Sequence, residues 1–162
     1  MNVTLEWYEL SRAALVGVSR NVEALRMKCH DRLSTKASNW DIHILGALGE
    51  CALCKALGLY WAGGINTFKA GDVGDLLQVR TRSNHAYEMI VRRGDKDTDI
   101  FTLVTGGPAE FRVVGWLTGK DAKRKEWLKN YGGYGEEYFV PQSVLRPMAD
   151  LPKITVGNKE EW

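Results

Sequence analysis

One change in hydrophobic period divides this chain and limits the folds that are open to it. Between residues 5 and 57, apolar side chains recur at helical spacing, and Gly58 supplies a C-terminal stop for the second helix. After residue 58 the apolar residues stand in short runs separated by glycine-containing turns, a pattern that indicates strands. Two helices followed by several strands bury their apolar faces by packing on a sheet, so the sequence predicts an α/β or α+β domain.

The same patterns set approximate bounds for each element. The predicted helices, with one further helical turn, cover residues 5–33, 40–57, 121–130 and 143–147. The predicted strands cover residues 76–81, 87–93, 100–105 and 111–117. Residues 138–141 are predicted to be an edge strand or extended segment, because Pro141 cannot donate to a ladder. Turn signals at residues 94–97 and 106–108 favour an antiparallel meander within a central mixed sheet of four to five strands.

The length of the chain favours one domain. A chain of 162 residues can bury its own core but is short for two cores. We predict a single domain over residues 1–162, with an N-terminal helix in 1–38 and a core helix plus sheet in 39–118. Residues 119–162 are expected to contribute a helix and an extended C-terminal segment.

Charge and cysteine content narrow the cellular context. The net charge is only +2, so any affinity for nucleic acid must come from local clusters of Lys and Arg. Three cysteines, an odd number, argue against a disulfide framework and predict a reducing, cytoplasmic compartment. No apolar run is long enough to span a bilayer, and no secretory signal is recognisable, so we expect no membrane partner. Cys51 and Cys54 fall inside an apolar helix and are predicted to be buried there.

The densest group of polar residues lies at the start of the first predicted strand. Asp72 and Asp75 stand in a glycine-containing turn, and Gln78 and Arg80 follow on one face of the strand because side chains alternate. Glu50 lies on the preceding apolar helix. Mg²⁺ takes oxygen ligands, commonly one or two carboxylates with waters and a phosphate, so this group is a candidate metal site at a phosphodiester.

Each of these acidic residues also has an ordinary structural interpretation. Glu50 is either a buried carboxylate that needs a partner or an exposed one that pairs with Lys55. Asp72 and Asp75 are equally typical of turn chemistry, and the sequence leaves open which of them would be a ligand.

These motifs resemble a known family. Gly49-Glu50, then Gly71 to Asp75, then Gln78-Val-Arg80-Thr81 resemble the core of the PD-(D/E)XK nuclease superfamily, in particular its small, phage-like members. In that family a helix glutamate, a strand-edge aspartate and an acid-x-lysine pair share one metal site. The resemblance implies that Glu50 matches the glutamate and Asp72 the aspartate, with Asp75 as a competitor. Gln78 and Arg80 would match the pair, with a neutral amide and a guanidinium in place of the carboxylate and the amine.

The resemblance implies a restriction-endonuclease-like fold and a metal-dependent DNA nuclease that uses Mg²⁺ or Mn²⁺. The implied catalytic residues are Glu50, Asp72, Gln78 and Arg80, and the implied metal ligands are Glu50, Asp72, Asp75 and Gln78. The alternative is a weak or inactive protein of the same fold that binds DNA or a protein partner, since Gln78 is a poorer ligand than a carboxylate. A homodimer also remains open.

Basic residues beyond the motif are candidates for contacts with flanking DNA phosphates. They are Arg82, Arg92, Arg93, Lys120, Lys123 and Arg124. Phosphate contacts of this kind would make affinity fall steeply with salt. A solvated surface is the alternative for each of these clusters.

Overall fold

A computed structural model describes residues 1–27, 39–65, 72–73, 77–131 and 135–153 of the protein. The helices are α1 (Trp7–Arg26), α2 (Asn39–Leu57) and α3 (Gly119–Ala122). The strands are β1 (Asn2–Thr4), β2 (Leu77–Arg82), β3 (Met89–Val91), β4 (Ile100–Gly106), β5 (Glu110–Thr118), β6 (Leu128–Lys129) and β7 (Glu137–Val140). Short 3₁₀ turns cover Lys125–Trp127, Gln142–Val144 and Met148–Asp150.

The strands form a four-stranded mixed sheet and a smaller three-stranded sheet. The larger sheet has the order β1-β5-β4-β2, in which β2 runs parallel to β4 and the other pairs are antiparallel. The smaller sheet has the order β3-β7-β6 and is antiparallel throughout. The predicted mixed sheet of four strands is confirmed, with β2 as an edge strand at the end of the order.

The predicted meander is wrong in its connections. Of the four strands predicted to form it, β2 to β5, only β4 and β5 are consecutive antiparallel neighbours. Strand β2 lies beside β4 in parallel register, with Leu77 opposite Ile100. The chain between them leaves the sheet and forms β3, which pairs with β7. Parallel neighbours need a long crossover connection, and the excursion through β3 provides it.

Two further predictions from local pattern are corrected. The helix predicted over residues 121–130 ends at Ala122, because Leu128 and Lys129 pair with β7 as strand β6. The β7 strand was predicted as an edge or extended segment but lies in the middle of the smaller sheet. Pro141 comes directly after its last residue, so the missing N–H removes no ladder bond from this strand.

The helix predictions are confirmed in part. The second helix, predicted over residues 40–57, corresponds to α2. The first, predicted over residues 5–33, corresponds to α1, which ends at Arg26. Residues 28–33 of that prediction lie outside the described residues. A capping box of Glu6 and Glu9 fixes the start of α1, with the Glu9 carboxylate accepting the Glu6 N–H at 2.7 Å.

Two apolar clusters lie on opposite faces of the larger sheet. On one face, α2 packs its Ala52 and Leu53 against Leu77 and Val79 of β2. On the other face, the second cluster includes Phe101 of β4 and residues of the smaller sheet. Since both clusters share the larger sheet as a wall, the protein is a single α/β domain. None of the helices in the described ranges is both long enough and apolar enough to cross a bilayer.

The cysteines of α2 belong to the first cluster. Cys51 and Cys54 are both buried and unpaired as thiols, as the sequence predicts. Burial raises the pKa of Cys51 to about 11 and that of Cys54 to about 12. Both therefore stay protonated at neutral pH and act as small apolar side chains.

Helices α1 and α2 touch at a glycine. A Cβ atom at Gly17 would lie 2.5 Å from the Cα of Ile44 and 2.8 Å from the carbonyl oxygen of His43. Backbone atoms of a packed helix cannot move without displacing the whole helix, so the close approach of α1 and α2 requires glycine at this position. By contrast, a Cβ at Gly46 on α2 would have no neighbour within 4 Å.

We expect Gly17→Ala to lower the free energy of unfolding by about 2 kcal/mol or more, because the new methyl forces the helices apart. The matched control Gly46→Ala should raise it by about 0.5–1 kcal/mol, because alanine is the better helix former. Urea denaturation followed by circular dichroism measures both changes. Equal effects of the two substitutions would contradict this account of the helix contact.

Candidate functional site

Glu50 is a buried carboxylate with an arginine partner. Its residue is 5% exposed, and the guanidinium of Arg20 donates from Nη1 to Oε1 at 2.5 Å and from Nη2 to Oε2 at 2.8 Å. The indole Nε1 of Trp61 adds a third hydrogen bond to Oε2 at 3.3 Å. Lys55, the partner considered from the sequence, instead pairs with Glu9 at 2.6 Å. Of the two alternatives for Glu50, the structure therefore shows the first, a buried carboxylate with a partner.

Arg20 joins three parts of the chain at this point. It lies on α1, binds Glu50 on α2, and donates from Nε to the carbonyl of Gly64 at 2.8 Å. Burial alone would lower the pKa of Arg20, but its hydrogen bond to Glu50 and the charges of Glu50 and Asp72 raise it above its ordinary value. The sequence prediction missed this residue. The next residue, Asn21, is one of the few residues of α1 that are buried. Polar residues on the inner side of a helical wheel of α1 could have drawn attention to Arg20.

Asp72 is the second carboxylate of the site. Its Oδ2 accepts the backbone N–H of Val79 at 2.7 Å, which holds the carboxylate against β2 at the point where Val73 bridges Leu77. Burial, followed by the charge of Glu50, raises the pKa of Asp72 to about 6. The two carboxylates therefore interact electrostatically.

Arg80 points away from this pair. Its Nη2 binds Asp95 at 2.7 Å, its Nε donates to the carbonyl of Ile90 at 3.1 Å, and its guanidinium lies 4.8 Å from the ring centroid of Phe101. These partners belong to the face of the sheet that is opposite α2. Gln78 shares the Arg80 face by strand alternation, and its side chain makes no hydrogen bond to a described residue.

The predicted site is thus divided by β2. Glu50 lies on the helix side and Arg80 on the side of the smaller sheet. Asp72 binds the edge of β2 between them and interacts electrostatically with both. Asp75 lies outside the described residues.

The fit of a divalent cation rests on those two carboxylates. Asp72 has one oxygen held by Val79 and no ion pair to any described residue, so its other oxygen is suited to a cation. Glu50 offers the right donor atoms, but Arg20 already occupies both of them. In the described ranges there is no group of three or more His, Cys, Asp or Glu side chains placed to hold a metal. A Mg²⁺ ion commonly takes one or two protein carboxylates, and of this pair only Asp72 has an oxygen that Arg20 leaves open.

Four of the six basic residues predicted to contact phosphates lie in one neighbourhood, namely Arg92, Arg93, Lys120 and Lys123. The turn that contains Arg92 and Arg93 packs against α3, where the Lys120 N–H donates to the carbonyl of Asp97 at 3.0 Å. Lys123 binds Asp97 at 2.7 Å, and Arg93 binds Glu136 at 2.9 Å, so two of these cations are neutralised.

The other four basic residues have no carboxylate partner among the described residues. Arg92 and Lys120 are exposed, while Arg82 and Arg124 stack on Tyr87 and Trp127 with 4.9 Å between the guanidinium and each ring centroid. Acidic residues of the same turn and of α3, namely Asp95, Asp97, Asp99 and Asp121, balance the positive charges, so this region offers individual exposed cations.

Comparison of the chain with family models, with characterised proteins and with solved structures finds no significant match in any of the three.

The raised pKa of Asp72 predicts how the stability of the protein changes with pH. Its pKa is about 6 in the folded protein and about 3.9 in the unfolded chain. Between pH 4 and pH 6, Asp72 is therefore protonated in the folded state but ionised in the unfolded state. The contribution of Asp72 to stability is complete below pH 4 and is lost as the pH rises through 6.

Asp72→Asn keeps an acceptor for the Val79 N–H and stays neutral. We expect it to be more stable than the wild type above pH 6, by about 2 kcal/mol, and equally stable below pH 4. Urea denaturation at pH 4, 5, 6 and 7.5 measures the difference, with Glu110→Gln, an exposed carboxylate, as control. A difference between Asp72→Asn and wild type that does not change with pH would show that the charge of Asp72 costs nothing in the folded state.

A second prediction concerns the Arg20–Glu50 pair. Arg20→Met leaves Glu50 buried without its cation and should lower stability by about 3 kcal/mol, whereas Arg20→Met with Glu50→Leu should recover most of that loss. Arg26→Met, which removes an exposed pair with Glu23, is the control and should cost less than about 0.5 kcal/mol. Additive losses in the double variant, measured by urea denaturation, would contradict a direct coupling of the two charges.

Proposed function

We propose that this protein is a metal-dependent DNA nuclease of the PD-(D/E)XK type that hydrolyses phosphodiester bonds. The observation that supports the proposal is the electrostatic interaction of a buried carboxylate, Glu50 of α2, with a half-buried one, Asp72, at the entry to β2. Burial of two like charges side by side is unfavourable unless a cation serves them both. Arg20 pairs with Glu50, whereas Asp72 forms no ion pair within the described ranges, although the charges of Arg80 and Arg20 act on it.

In this proposal Asp72 and Glu50 hold Mg²⁺ or Mn²⁺ at the end of β2. The cation would supply a polarised water and offset charge on the scissile phosphate. The Val79 N–H orients Asp72 by holding Oδ2, so that Oδ1 is presented. Arg20 and the cation compete for Glu50, which makes the arginine a regulator of metal affinity. The roles of Asp75, Gln78 and Arg80 remain predictions from the resemblance, and Arg80 would have to leave Asp95 to reach a phosphate.

The restriction-endonuclease-like fold is part of the same proposal. A mixed sheet with one parallel pair, β2 beside β4, and a helix that carries a glutamate packed across it support this fold. DNA as substrate is supported by three exposed cations, namely Arg92 in the turn, Lys120 in α3 and Arg124 just after α3. Salt should weaken binding there through release of counterions.

A non-catalytic DNA-binding or protein-binding role is the second candidate. It is favoured by the two-point bond of Arg20 to Glu50, which satisfies the buried charge with no metal. It is also favoured by the bond of Arg80 to Asp95, which removes a cation from the site. On this alternative the ion pairs are structural.

Metal-dependent cleavage separates the two candidates. Wild-type protein is incubated with Mg²⁺ or Mn²⁺ and with supercoiled, linear double-stranded and single-stranded DNA. We expect cleavage that EDTA abolishes and that falls about 100-fold or more in Asp72→Asn and in Glu50→Gln. Glu110→Gln is the matched control and should cleave like the wild type.

Binding of Mn²⁺, followed by the loss of its free electron paramagnetic resonance signal, provides a readout that does not depend on cleavage. Metal binding that needs Asp72 supports the site, and DNA binding without cleavage under either metal supports the second candidate. Activity that survives Asp72→Asn would place the chemistry elsewhere in the protein.

A further inference from the structure

Helix α1 carries a second apolar face that no described element of the fold covers. Its inner face, with Ala13, Gly17 and Asn21, is buried. On the outer side lies a line of residues that we name the α1 seam, namely Tyr8, Ser11, Leu15, Val18, Val22 and Leu25. Its five large side chains are between 36% and 72% exposed, with Val18 lowest and Tyr8 highest. A helix that is apolar on two faces is adapted to two partners.

The spacing of the seam indicates what kind of partner it fits. Successive members are three, four, three, four and three residues apart, which is the a/d alternation of a heptad repeat over the length of the helix. That period keeps one stripe facing a neighbouring helix, so the seam is shaped for another α-helix with an apolar stripe. A partner with a flat surface or an extended peptide would not require this heptad spacing.

We propose that the α1 seam is a homodimer interface in which it packs against the same seam of a second copy of this chain. A two-fold interface presents the same patch twice, and the seam is a stripe that complements itself. From the exposed fractions of its five large side chains, the seam offers on the order of 500 Å² of accessible surface per copy. Two copies would bury about 1,000 Å², the lower limit for a specific interface.

The polar groups beside the seam are already satisfied within one copy. The Ser11 hydroxyl donates to the Trp7 carbonyl at 2.9 Å. Arg26 pairs with Glu23 at 2.8 Å, and Arg12 donates to the carbonyl of Trp61 at 3.0 Å. Closing the seam would therefore bury no unpaired charge, which is the usual obstacle to helix pairing.

This interface is independent of the proposed nuclease function. Arg20, which binds Glu50, lies on the covered side of α1, so closing the seam leaves the ion pair untouched. Dimerisation can therefore be tested on the full chain without reference to DNA or metal.

The test is the molar mass in solution, measured by size-exclusion chromatography with light scattering and by sedimentation velocity across the micromolar range. We expect the wild type to move from monomer to dimer as concentration rises. Leu15→Lys combined with Val22→Lys should remain monomeric, because each copy would bury two like charges. Val144→Lys changes an apolar residue of similar exposure away from α1 and should dimerise like the wild type.

A second pair of substitutions guards against misfolding. Val18→Glu with Leu25→Glu tests the same seam with the opposite charge, and thermal unfolding by circular dichroism checks that each variant stays folded. Wild-type protein that is monomeric at all concentrations would overturn the proposal. So would a dimer that survives both seam variants.

Discussion

The buried ion pair between Arg20 and Glu50 is the interaction on which this structure depends most. An isolated carboxylate inside a core is very unfavourable, so the position of Glu50 on α2 requires a cation or a proton. Arg20 supplies the cation from α1 and at the same time holds the carbonyl of Gly64. Gly17, one turn earlier, allows the backbones of α1 and α2 to meet, which brings the arginine within reach. The packing of α1 on α2 and the neutralisation of Glu50 therefore depend on each other in this protein.

Strand β2 separates two charge systems that are close in sequence. On its helix side, Glu50 binds Arg20, and at its edge Asp72 accepts the Val79 N–H within the field of both. On the other side, Arg80 and Lys123 bind Asp95 and Asp97 and tie the turn after β3 to the sheet and to α3. The first system is a pair of carboxylates that one arginine neutralises in part, and the second is a structural network of ion pairs. A nuclease needs carboxylates and cations at one phosphodiester, and β2, an edge strand, lies between these two systems.

Local pattern predicted the elements better than their partners. The apolar run before Gly58 and the short runs around Leu77, Phe101 and Val113 were enough to find α2, β2, β4 and β5. The parallel register of β2 and β4 was missed because the pairing joins residues about twenty positions apart, and nothing local encodes that distance. The segment around residues 121–130 was predicted as a helix because its residues favour one, but pairing with β7 outweighed that preference.

What the sequence by itself determined was the α/β class, the burial of Cys51 and Cys54 and the set of polar residues worth examining. Those features depend on periodicity and residue type, and both can be read from short stretches of the sequence. Only the tertiary structure decided that Glu50 meets Arg20, that Asp72 stands near Glu50, and that Arg80 turns to Asp95. These contacts depend on which elements pack together, because a buried charge is stable only beside a partner that the fold brings to it from elsewhere in the chain.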